Sequence, residues 1–204
     1  MASKDPGEAL NSYVTDMLAL EQHIKKAIDG QIEDLKDYPA VTNELRNITG
    51  TIEGHITTLE GLAKSTGGGK GPADMLKQAG SAVLGLGAAA VDMVRNEGLP
   101  KNLRDDYTAC SLATIGYVML HTTALSLGNR QVGEIAQRHL SAYARIVMNL
   151  HNIVPAAVIK FLQEEGLPAT DASLAEISRN IEEVWHQSSS VGTASQANLG
   201  KTWQ

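Results

Sequence analysis

The side chains best suited to chemistry are Glu21, His55, His121 and His139, and each sits in a run whose apolar spacing is helical. Glu21 adjoins Met17, Leu20 and Ile24, and His55 lies between Ile52 and Ile56. His121 follows Tyr117 by one turn, and His139 precedes Tyr143 by one turn. Imidazoles and a carboxylate together suit iron or zinc. One residue from each of four helices could therefore form a mononuclear site, provided the donors converge within about 5 Å, since metal–N and metal–O bonds are about 2.0–2.2 Å. A second reading stays open: His121 and His139 as core histidines bonded to Thr, Tyr or backbone groups, and Glu21 as a helix-face carboxylate near Lys25. Glu53 cannot join His55, because two residues along a helix turn about 200°. Glu134, five residues before His139, also points elsewhere.

Other chemistry finds little support, and no catalytic residue is assigned. There is no Gly-x-Ser-x-Gly elbow. The single cysteine, Cys110, lies in an apolar run where burial raises a thiol pKa and quenches it. Thr66 to Gly71 is glycine-rich, but it lacks the Lys-Ser/Thr step of a phosphate loop and no strand precedes it. Tyr107, Tyr117 and Tyr143 read as residues that fill a bundle.

The elements that must position these residues are helices throughout. Asp5-Pro6 marks a start, and Leu10, Val14, Met17, Leu18, Ile24, Ile28 and Leu35 carry a first helix from about 7 to 36. Tyr38-Pro39 ends it. Val41, Leu45, Ile48, Ile52, Ile56, Leu59 and Leu62 form the stripe of a second helix, about 40 to 65. An insert at 67–100 follows; its segment Gly80 to Val91 is built of small residues and reads as a short helix laid in a groove. Tyr107 to Asn129 contains no Asp, Glu, Lys or Arg and is apolar or small on every side, the pattern of a helix surrounded by protein or lipid. Its threonines, serines and His121 argue against lipid, so it reads as the innermost helix, about 101 to 127, of a soluble bundle with no membrane span. Gly128-Asn129 closes it, and a long helix to about 165 runs antiparallel to it, with a kink expected at Pro155. An amphipathic helix at 171–186 precedes an extended tail at 187–204.

Composition agrees with an all-α chain: hydrophobic residues make up 43% and aromatics 4%. A net charge of −6 argues against nucleic-acid partners. One cysteine excludes an internal disulfide framework, and MASKDPGEAL has no apolar signal region, so the expected location is cytoplasmic.

Several strings resemble the ferritin-like superfamily, closest to the bacterial YciF-like (DUF892) stress-protein family. Asp16 to Ile24, continued by Lys26-Ala27-Ile28, looks like that family's first-helix string. Glu53 to Glu60 looks like its second, around Glu-Gly-His, and Leu127-Gly128-Asn129 resembles its Leu-Gly turn. The likeness covers about residues 8–165. It implies a ferritin-like up-down four-helix bundle with a small helical insert between helices 2 and 3, and it places Glu21 at a family metal-ligand position. Other ligand positions differ. Gly50 or Thr51 stands one turn before His55, Cys110 and Ser111 stand where the third helix carries Glu and His, and Leu140 to Tyr143 replaces a Glu-rich run. The di-metal centre is thus degenerate.

The resulting expectation is one bundle domain over 1–186 that acts without catalysis, through self-association, in a stress-related role, and needs no cofactor. Two alternatives stay open: iron or zinc at a non-standard site of Glu21, His55, His121 and His139, or an apolar small molecule in a gap left by residues 80–91 and the Pro155 kink. Assembly as a homo-oligomer is expected through the tail, with Leu199 and Trp203 as anchors.

Overall fold

The computed structural model describes residues 5–66 and 98–187, and no strand occurs among them. The chain divides into two compact units, Met1–His151 and Asn152–Gln204. Helix α1 spans Pro6–Asp34, α2 Pro39–Thr66, α3 Leu99–Ser126 and α4 Arg130–Glu164, with α4 continuing across the boundary between the units and through Pro155. The chain is thus all-α, with the character of a helical bundle.

Local chemistry sets the helix ends. The Asp5 carboxylate accepts a hydrogen bond from the Gly7 N–H at 3.1 Å, and Pro6 occupies the first turn, where its missing N–H costs nothing. Thr42 ties the first turn of α2 to the end of α1 by donating to the Leu35 and Tyr38 carbonyls. Between α3 and α4, Gly128 adopts φ +76, which its lack of a Cβ permits. Asn129 N–H then reaches the Ala124 carbonyl and Gly128 N–H the Leu125 carbonyl, the paired bonds of a Schellman ending. The Asn129 side chain accepts from Val132 N–H and caps α4. Links this short make α1/α2 and α3/α4 antiparallel neighbours.

In the first unit, α1 packs on both α2 and α3. Leu18, Ile24, Ile28, Leu45, Ile48, Ile52, Leu59, Leu103, Leu120 and Leu150 are sealed from solvent. At Gly116 the Met17 thioether approaches so closely that a Cβ there would displace it.

The expectation for Tyr107 to Asn129 needs correction. One side of α3 is buried, through Leu103, Cys110, Ala113, Tyr117, Leu120 and Ala124. The opposite side is open: Leu112 is 40%, Ile115 59%, Val118 42% and Met119 47% exposed. The composition is apolar all round, but only one side is enclosed. By length and composition one described helix is apolar enough to cross a membrane, and it is Arg130–Glu164, not α3. Its first half carries Arg130, Glu134, Arg138 and Arg145, and it turns His139 and Tyr143 into the core.

In the second unit, α4 ends at Gly166, φ +74, with Leu167 N–H bonded to the Leu162 carbonyl. Thr170 caps a short 3-10 turn, Asp171–Ser173, which leads into helical residues 174–187. Leu174, Ile177 and Ile181 are half-buried there, and Val184 is exposed. The insert segment 80–91 and the tail with Leu199 and Trp203 lie outside the described residues.

A candidate metal centre in the bundle core

Glu21 is the hub of the interior. It points off the apolar stripe of α1 and has no solvent exposure. Three donors meet its carboxylate. Tyr117 of α3 donates its hydroxyl to Oε1 at 2.5 Å, Tyr143 of α4 donates to Oε2 at 2.6 Å, and His55 of α2 places Nδ1 3.1 Å from Oε1. His139 of α4 completes the group, with Nδ1 3.0 Å from the Tyr117 oxygen.

These bonds assign the protons. A carboxylate only accepts, so His55 Nδ1 carries a hydrogen. Tyr117 gives its one proton to Glu21, so its oxygen must accept from His139 Nδ1–H. Burial holds the imidazole of His139 neutral by lowering its pKa to about 3, and His55 and Arg138 push the same way. Burial and the negative charge of Glu21 raise both phenols well above the ordinary tyrosine value, so Tyr117 and Tyr143 remain protonated donors. Among the described residues, no Lys or Arg lies within ion-pair distance of Glu21, where His55 is the one basic partner. The cluster therefore sets a fully buried carboxyl group among two phenols and an imidazole, with His55 as its basic partner.

Glu21, His55 and His139 each offer a ligand atom, and these atoms lie within 4.8 Å of one another. Donors on one ion lie on the order of 3 Å apart, given metal–ligand bonds of about 2.0–2.2 Å. The set is close to binding geometry, with one adjustment left. The His55 and His139 rings stack at 3.8 Å with 15° between their planes. Lone pairs confined to two stacked, nearly parallel planes cannot both aim at a single ion, so one ring must turn to share it. His55 keeps 10% side-chain exposure while Glu21 has none.

Of the four expected ligands, the structure brings three together. His121 is apart: its Nδ1 donates to the Gly133 carbonyl at 2.8 Å, beside the α3–α4 turn. Four residues from Tyr117 is one turn plus about 40°, enough to swing it off the core and onto α4. Glu53 points outward, with its side chain 70% exposed near Lys25, and Glu134 is exposed as well. The tyrosines are what the sequence reading under-used. Tyr117 and Tyr143 do fill the bundle, but they also fix Glu21, and their one-turn spacing to His121 and His139 was the available signal. Burial, with help from Asp106 and Glu21, raises the Cys110 thiol pKa far above normal, so it stays an inert core residue.

A second buried polar pair lies between α1 and α3. Gln31 donates to Asp106 Oδ1 at 2.9 Å, leaving Gln31 Oε1 and Asp106 Oδ2 without partners among the described residues. Burial pushes the Asp106 pKa up to about 7, and the negative charge of Asp105 adds to this.

The depression between α2 and α4 is lined by Glu44, Asn47, Thr51 and Arg145 together with Ile48, Ile146 and Met148, and the gap expected beside residues 80–91 lies outside the described residues. Comparison with protein-family models, with curated proteins and with solved structures finds no match.

Proposed function

We propose that this chain is a ferritin-like bundle that holds one divalent metal ion in its core at Glu21, His55 and His139, with Tyr117 and Tyr143 orienting the carboxylate. The observation that carries this reading is the convergence of three buried donor groups from three helices, whose ligand atoms lie within 4.8 Å of one another. Two imidazoles and one carboxylate suit zinc, or iron(II) with open coordination positions. The donor set is mononuclear. The di-metal chemistry of the resembling family has too few carboxylates here, because Cys110 and Leu140 to Tyr143 stand in the corresponding places.

Metal analysis tests the reading directly. Protein produced with iron, zinc and manganese supplied, then desalted, should carry about one ion per chain. Glu21→Gln and His139→Gln should each lose it. Wild-type protein that stays metal-free, and shows no heat of binding on titration with each ion, would rule the centre out and leave a closed hydrogen-bonded network.

A further inference from the structure

Tyr117 holds a place in the core that an orienting partner alone does not need. Its oxygen stands between two of the three metal donors, 2.5 Å from Glu21 Oε1 and 3.0 Å from His139 Nδ1. His55 Nδ1 lies 3.1 Å from the same Oε1. The hydrogen-bonded chain thus runs from His55 to Glu21 to Tyr117 to His139, and Tyr117 is the link through which His139 joins it. Neighbours along that chain are spaced as donors around one ion are, on the order of 3 Å.

The helices make the same assignment. Glu21 comes from α1, His55 from α2 and His139 from α4, while Tyr117 comes from α3. With Tyr117, each of the four long helices sends one donor inward, and a tetrahedral ion takes four. His121, the α3 side chain whose type suits a metal best, is engaged at the Gly133 carbonyl. Tyr143 differs: it shares α4 with His139, and its bond at 2.6 Å goes to the other carboxylate oxygen, Oε2.

Charge favours a phenolate in the fourth position. Ligating imidazoles are neutral, so a divalent ion held by one carboxylate and two of them leaves one positive charge in the core. Tyr117 has no solvent exposure, so that charge is cut off from water. A phenolate brings the sum to zero and removes the cost of burying an uncompensated charge. The ion takes the place of the proton between Tyr117 and Glu21. The phenol O–H bond breaks, the metal–oxygen bond forms, and the proton leaves to solvent.

We infer that Tyr117, bound as a phenolate, is the fourth ligand of the ion. The inference rests on the metal reading at Glu21, His55 and His139 and adds the contribution of α3.

Ultraviolet difference spectroscopy on the full chain, with zinc as the probe, tests it. The metal-free phenol is protonated, so a phenolate signal reports the ion. Wild-type protein loaded with one zinc ion should gain the band of one phenolate. Tyr117→Phe, which keeps the ring, should lose the band with unchanged helical circular dichroism, and Tyr143→Phe at saturating zinc should keep it. Calorimetry in buffers of different ionisation heat should show one proton more released by the wild type than by Tyr117→Phe. Affinity alone does not discriminate, because loss of an orienting partner also weakens metal binding about 10–100-fold. Wild-type protein that holds one zinc ion without the band overturns the inference and leaves the three-ligand centre standing. So does a band that persists in Tyr117→Phe or disappears in zinc-loaded Tyr143→Phe. Wild-type protein that binds no ion overturns both readings. Where Tyr117→Phe does not fold, the wild-type band and its fate in Tyr143→Phe still decide, since Tyr143 is the other phenol bonded to Glu21.

Discussion

Glu21 has no solvent exposure while Ile115 is 59% exposed, and the two lie on opposite sides of the α1–α3 packing. Transfer energies favour the reverse placement at both sites. The interior resolves its exception with structure, since three donors reach Glu21 from three other helices. The exterior leaves its exception unresolved, because nothing in the packing of α3 needs Ile115. A polar group that the fold encloses with partners points to a job done inside. An apolar group that the fold leaves outside points to a job done with something else.

The comparison breaks most sharply at its interior end. Glu21→Ala removes the shared acceptor of Tyr117, Tyr143 and His55, and should destabilise the first unit by about 3–5 kcal/mol in urea unfolding, since each buried donor left without an acceptor costs about 1–3 kcal/mol. A loss below about 1 kcal/mol would mean that the network is idle.

The Asp106 pair sharpens the contrast through pH. Its folded pKa of about 7 lies above the ordinary aspartate value of 3.8, so folding favours the protonated acid. That contribution is complete below about pH 4 and is lost as pH rises through 7, on the order of a few kcal/mol at 1.36 kcal/mol per unit. The proton on Oδ2 would also serve the unpartnered Gln31 Oε1. Asp106→Asn, which carries donors at every pH, should flatten this part of the stability profile and exceed the wild type at pH 8. His139 acts oppositely. Its lowered pKa costs stability as pH falls from about 6.5 toward 3, so the two profiles must be separated by variant and not read from the wild type alone.

Tyr143→Phe takes one charge-assisted donor from Glu21 while keeping the ring, and should cost about 1.5–3 kcal/mol by the same unfolding measurement. The exterior end should give the smallest effect. Ile115→Ser should change the unfolding free energy of the isolated chain by less than about 0.5 kcal/mol, as exposed substitutions do.

Much of this protein is written locally in its sequence. Asp5-Pro6 and Gly128-Asn129 mark helix ends within a residue or two of where they fall, and Pro39 opens α2, because caps and prolines act on their own neighbours. The stripe position of Glu21 and the outward angle of Glu53 follow from helical geometry alone. Which inward groups meet was decided by tertiary packing, for it depends on how far each helix slides and rotates against the others. Glu21 and His55 are 34 positions apart, and Glu21 and Tyr143 are 122 apart. No local spacing separates His139, which reaches the cluster, from His121, which a rotation of about 40° removes from it. The outer face of α3 was hidden for the same reason: composition says that a helix is apolar all round, and only its neighbours decide which side they cover.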